Sequence, residues 1–246
     1  MQHRLVAVRR FPRPSITPAV VAAGFAWLVL LLFSLTGDGT VIRHDRLLQG
    51  GPPLWLATLL FIAGWQVMLW AMMVPASFHA FNRYRSRRLV AFAVGYLAVW
   101  TAFGFAIFLF DAGVHATVNH WPWLAAHPWL IAGTTLVVVG TYQLSDLKMR
   151  SLDACRRYRH APATAKPGAD GAVHGIECLG SSWALMLVAF ALGAGSLVTM
   201  AALAGVMVWE VSPWGTTSVK LLGYCLIGLG VVILAGPIAA PPWWIR

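Results

Sequence analysis

Trp65-Gln66-Val67-Met68-Leu69-Trp70-Ala71-Met72-Met73-Val74-Pro75, continuing to His79, is the stretch on which fold and function both turn. It lies inside a hydrophobic segment long enough to cross a bilayer, which takes about 20 apolar residues. Yet it carries a glutamine, three methionines, a proline and a closing histidine. At helical spacing Trp65, Met68, Met72, Pro75 and His79 share one face. Thioether and imidazole donors on one face suit a soft ion such as copper. The same residues also serve as ordinary helix packing, because methionine fills irregular gaps well. Both readings stand at this level.

The rest of the chain places that segment among others like it. Of 246 residues, 59% are hydrophobic and 11% charged, where a soluble domain is about a quarter charged. Long unbroken apolar runs recur, and they lack the alternation in short segments that marks a transmembrane β-barrel. The expected fold is all-α: a polytopic transmembrane helix bundle of about six spans, at roughly 18–35, 54–78, 89–110, 129–147, 183–209 and 219–234. A basic segment precedes it (1–16), a long loop joins the fourth and fifth spans (148–182), and a proline-rich tail follows (237–246).

The net charge of +10 does not point to nucleic acid. The cations sit in short loops between spans, a topogenic pattern, and no nucleic-acid-binding motif is present. Arg83, Arg85, Arg87 and Arg88 mark one side, as do Lys148, Arg150, Arg156, Arg157, Arg159 and Lys166. The opposite loop Asp111–Pro128 has no Lys or Arg but holds His115, His120 and His127. The bias puts both termini in the cytoplasm. Cys155, Cys178 and Cys225 form no disulfide framework and no C-x-x-C pair, and the first two fall in the long loop on the cytoplasmic side.

Polar and sulfur groups near the spans are the candidates for chemistry. Asp111 and Glu210 close spans on the outer side, and intramembrane charges are costly. Asp146 and Lys148 close the fourth span, as a helix-end ion pair or a functional one. Met186, Met200 and Met207 lie in the fifth span. Ser181 or Ser182 is placed to cap that span's first turn. No zincin, P-loop or nucleophile-elbow motif occurs, so no enzyme class and no catalytic residue is indicated.

Three stretches in order then resemble a bacterial family of predicted metal-binding integral membrane proteins, whose function is not established. They are Trp65-x-x-Met68-x-x-x-Met72-Met73-x-Pro75, Gly140-x-Tyr142-Gln143 through Lys148 to Cys155-Arg156, and Gly175-x-x-Cys178-x-Gly180-x-x-Trp183-Ala184-Leu185-Met186 with Gly195, Met200 and Glu210 beyond. The resemblance covers about Leu54 to Glu210. It implies metal-associated roles for Met68, Met72, Met73, Lys148, Cys155, Cys178, Met186, Met200 and Glu210. Ser181 and Ser182 stand where family members typically carry cysteines, which leaves Cys178 as the sulfur of that motif.

The expectation is therefore a multi-pass protein of the bacterial inner membrane that handles a soft metal, copper first. Its ligands would come from Met68, Met72, Met73, Met186, Cys155, Cys178 and His79, near the cytoplasmic side. On this topology Glu210 and the outer histidines lie too far away to join them. Two alternatives remain. One is a non-catalytic subunit anchoring a soluble or membrane partner through the basic loop Lys148–Lys166. The other is a small-solute permease whose polar path would use Gln66, Thr134 and Thr135. The lipid bilayer is the expected surrounding, and an oligomer is compatible with all three.

Overall fold

The computed structural model describes residues 18–35, 52–158, 161–191, 196–212 and 215–235. The basic segment 1–16, most of the first loop and the tail 237–246 lie outside the described residues. The described residues form nine α-helices and no strand: α1 (Pro18–Leu35), α2 (Leu54–Phe81), α3 (Ser86–His120), α4 (Pro122–Ala125), α5 (Pro128–Gln143), α6 (Asp146–Arg157), α7 (Pro167–Ala191), α8 (Leu197–Val211) and α9 (Gly215–Ala235). Five of them are long and apolar enough to cross a membrane, and there are up to six if α5 and α6, bent by 62° at their junction, count as one span.

The opening stretch is the middle of α2, which is packed between α1, α3 and α8. Trp65, Leu69, Met72 and Met73 are all buried there. Pro75 neither ends the helix nor breaks the bundle, since α2 runs on to Phe81. Proline has no N–H, so the carbonyl four residues back loses its helical partner. That carbonyl is Ala71's, and the Trp27 indole of α1 donates to it at 3.0 Å. A bond between helices thus replaces the missing one, as an apolar environment requires. Gln66 is also accounted for: its amide donates to Thr101 Oγ1 of α3 at 2.6 Å, a tie between two helices rather than part of a polar path.

Glycines set the two closest helix contacts. On α3 and α7, a Cβ on Gly95 would lie 2.0 Å from the Gly168 carbonyl oxygen, and one on Gly171 would lie 2.0 Å from that of Phe92. These backbones touch, which small residues permit. On α5 and α9, Gly133 meets Gly230 and Leu234, while Gly140 meets Gly223 and Ile227. Rising numbers on one helix meet falling numbers on the other, so α5 and α9 are antiparallel.

Several expected boundaries move. Helix α3 continues past Phe110 to His120, so Asp111, His115 and most of the expected histidine loop are helical. His115 and His120 direct Nδ1 to their own helix, at Asp111 O (3.0 Å) and Ala116 O (2.7 Å). Most of the loop expected at 148–182 is also helix, as α6 and the first turns of α7. Ser145 caps α6 by accepting from Lys148 N at 3.2 Å, and Asp146 stands exposed in the first turn, where the helix dipole favours an acid.

The segment 183–209 is not one helix. It comprises the end of α7 and nearly all of α8. Lys148 Nζ donates both to Ser181 O and to Glu210 Oε2, so residues 181 and 210 are level. In one continuous helix they would stand about 43 Å apart. Helix α8 therefore doubles back, and Glu210 lies beside Lys148 instead of at the opposite end. Helix α9 then leaves antiparallel to α5, and Leu234 reaches Gly133. Ala235 thus lies at the end of the bundle that holds Pro128, away from the arginine-rich turn after α2.

Candidate metal centre

Cys178 is the middle of the candidate site. It sits on α7 with 3% of its surface exposed, and Cys155 of α6 is equally buried. Gly180 lets the two helices close up, since a Cβ there would lie 2.6 Å from Ser151 Oγ. The Cys155 and Cys178 thiols are neighbours close enough to influence each other, and both are free. Tyr96 Oη of α3 lies 3.3 Å from Cys178 Sγ, and Ser77 Oγ of α2 lies 3.7 Å from it. Four helices therefore converge on one sulfur.

The third sulfur comes from α2. Ser182 Oγ lies 3.6 Å from Met73 Sδ and also donates to the Cys178 carbonyl at 2.7 Å. Ser181 bonds the same carbonyl at 2.8 Å. Neither serine caps a helix; both point back along the middle of α7. Ser196 does that work, accepting from Thr199 N at 3.3 Å at the start of α8. The pairs Met73–Ser182 and Ser77–Cys178 also fix the register of α2 against α7 as antiparallel. On that register Met68 comes level with Met186, about two turns above the thiols. Met68, Met72, Met186 and Met200 are all buried in the same core. Of these methionines and Met73, it is Met73 that Ser182 ties to the Cys178 backbone.

A buried ion pair holds this end together. Lys148 Nζ donates to Glu210 Oε2 at 2.6 Å, and Gln143 Nε2 to Glu210 Oε1 at 2.7 Å. Lys148 is fully buried and Glu210 nearly so. Arg156 closes the turn after α8 by donating to the Glu210 carbonyl at 2.5 Å. The Lys148 ammonium lies within electrostatic reach of both thiols. Lys148 therefore does not pair with Asp146, and it is not a surface residue of a docking loop.

The other candidates fall elsewhere. His79 lies on the exposed side of α2, although Met72 and Met73 on the same helix are buried. Asp111 is at the far end, 3.5 Å from His115 Nδ1. Thr134 and Thr135, with Thr117, line a mostly apolar groove between α3 and α5. Sequence reading did not single out Ser77 or Tyr96, and it quoted Gln143 within a motif without giving it a role. Ser77 lies four residues from Met73 on α2, a spacing that was legible; Tyr96 has no local signal at all.

Among the described residues no three His, Cys, Asp or Glu side chains gather as a ready metal cage. The donors that do converge are sulfurs, which suit Cu(I) over harder ions. The chain matches no curated protein and no solved structure. Residues 62–233 match the family model PpoB2, described as a copper chaperone. That match takes in α2 from its second turn through nearly all of α9, and with it every residue just described around the thiols. The chain belongs to this copper chaperone family.

Proposed function

We propose that the protein is a multi-pass protein of the bacterial inner membrane. It binds Cu(I) on Cys155 and Cys178, with Met73 as a third donor, and passes it to a partner protein. The observation that supports this most directly is the proximity of two buried free thiols from α6 and α7, with a thioether from α2 linked through Ser182 to the Cys178 backbone. The family description supports copper as the cargo. The exposed apolar faces, with Phe25, Leu59, Phe110 and Leu221 outward, support a lipid surrounding. The arginine-rich end faces the cytoplasm on the positive-inside rule. Met68, Met72 and Met186, at or above the level of the thiols in the core, form the approach from the bundle's interior, and Met200 lies further along it. Copper is cargo here, and no reaction is catalysed.

The test is a Cu(I) titration of the purified protein against a colorimetric chelator. The wild type should take up one Cu(I) per chain. Cys178→Ser should abolish uptake, and Cys155→Ser should weaken it at least tenfold. Wild-type protein that takes up no Cu(I), or Cys178→Ser protein that takes it up equally well, contradicts the proposal.

A further inference from the structure

One turn before Cys178 on α7 lies His174, 1% exposed. Neither of its ring nitrogens has a hydrogen-bond partner. A buried polar group without a partner is costly, and two such atoms on one ring call for an explanation. The ring is held firmly: it stacks on Phe92 (6.1 Å between centroids) and Tyr96 (5.7 Å), with Tyr158 tilted against it at 4.4 Å. The cage thus fixes the imidazole through its faces and leaves both nitrogens free. Tyr96, the same residue that touches Cys178, is one wall of the cage. Residues four apart on a helix have Cβ atoms about 5–6 Å apart, so a single ion can be shared by the His174 and Cys178 side chains.

Beyond the ring lies a clamp. Asp170 accepts from Tyr84 Oη and pairs with Arg83 at 3.5 Å. Tyr158 donates to Asp170 Oδ1 at 3.3 Å. The Arg83 guanidinium lies over the Tyr158 ring at 5.0 Å and also donates to Pro162 O. The segment after α6 is thereby tied over the turn between α2 and α3, with Tyr158 as its inner face. His174 stands between that cover and the thiols.

We infer that His174 is a copper ligand, forming with Cys178 a second two-donor Cu(I) site that takes the ion from the Cys155–Cys178 pair toward the arginine-rich end. This rests on the proposed thiol site and names its exit. Copper stays Cu(I) throughout. The bond to the Cys155 sulfur breaks as the bond to a His174 nitrogen forms, Cys178 remains bound, and the released thiolate stays beside Lys148. Two overlapping two-donor sites sharing one sulfur need no three-residue cage.

The experiment removes Cys155 and asks what remains. With Cys155→Ser, one Cu(I) per chain should still bind, more weakly than to wild type, through Cys178 and His174. Cys155→Ser combined with His174→Phe keeps the aromatic stack but removes both nitrogens, and its Cu(I) affinity should fall at least another tenfold. In the otherwise intact protein, His174→Phe should slow transfer of bound Cu(I) to an external chelator at least tenfold. Equal affinities in the single and double variants, or transfer as fast as in wild type, overturn the inference and leave the thiol site standing. Wild-type protein without Cu(I) overturns both. Where the phenylalanine variants do not fold, His174→Gln is used, which keeps the ring's polarity without a copper-binding imidazole, and the same outcomes apply.

Discussion

Replacing Lys148 by methionine removes the cation on which α6, α7 and α8 all converge. Its ammonium bonds the Ser181 carbonyl and Glu210 Oε2, and Glu210 is 3% exposed. After the change Glu210 keeps only the Gln143 amide at 2.7 Å and becomes a buried carboxylate without a counterion. Breaking a buried pair on one side costs about 3–5 kcal/mol, or roughly a hundred- to several-thousand-fold in the folded-to-unfolded ratio. Glu210→Leu alone strands the ammonium and should cost a similar amount. The double variant Lys148→Met/Glu210→Leu removes both charges and replaces them with apolar volume, a change that is often neutral or stabilising. The assay is a double-mutant cycle on protein in detergent micelles, unfolded by denaturant and followed by tryptophan fluorescence. The two single changes should sum to far more than the double change, with a coupling of about 2 kcal/mol or more. Additive costs, or single variants that lose under about 1 kcal/mol, would refute the reasoning that this pair holds the three helices together.

Other consequences are simpler to check. Trp27→Phe leaves the Ala71 carbonyl, already deprived by Pro75, with no donor; a loss of about 1–3 kcal/mol is expected in the same unfolding assay. Gly171→Ala drives a Cβ against the Phe92 carbonyl oxygen, so α3 and α7 should separate and Tyr96 should withdraw from Cys178. A lower melting temperature with faster maleimide labelling of Cys178 would show it, and unchanged labelling would count against the close contact. Single cysteines introduced at Arg87 and at Ala235 in a cysteine-free background should label from opposite sides of the membrane in proteoliposomes. Labelling from the same side would restore the six-span path with one continuous helix over 183–209.

The class of fold was legible because it rests on composition and long apolar runs, which short-range physics controls. The register of α2 was legible too, since Trp65, Met68 and Met72 share a buried face. The path after α6 was not. Hydropathy treats 183–209 as one run, because apolar residues score alike in one helix or two. Only the long-range pair Lys148–Glu210 reveals that the chain turns back. The same turn overruled the separation of Glu210 from Cys178, which charge counting over loops had implied. His79 and Met72 share a face by spacing, yet His79 is exposed while Ala80 and Phe81 beside it are buried. Cys155 and Cys178 were named as ligands by resemblance, but their meeting depends on the bend between α5 and α6, which no local pattern records. Ser181 and Ser182 read as losses from a cysteine-rich motif. In the structure Ser182 links the Cys178 backbone to the Met73 sulfur.

The central claim is that sulfur from three helices holds one Cu(I) at Cys178. X-ray absorption at the copper edge of protein loaded with one equivalent of Cu(I) reads that directly, compared across wild type, Cys178→Ser and Met73→Leu. The account predicts a Cu(I) edge in wild type and a first shell dominated by sulfur. It also predicts loss of one sulfur scatterer in Met73→Leu and no specifically bound copper in Cys178→Ser. A first shell of nitrogen and oxygen alone in wild type, or an unchanged sulfur shell in Cys178→Ser, would contradict it.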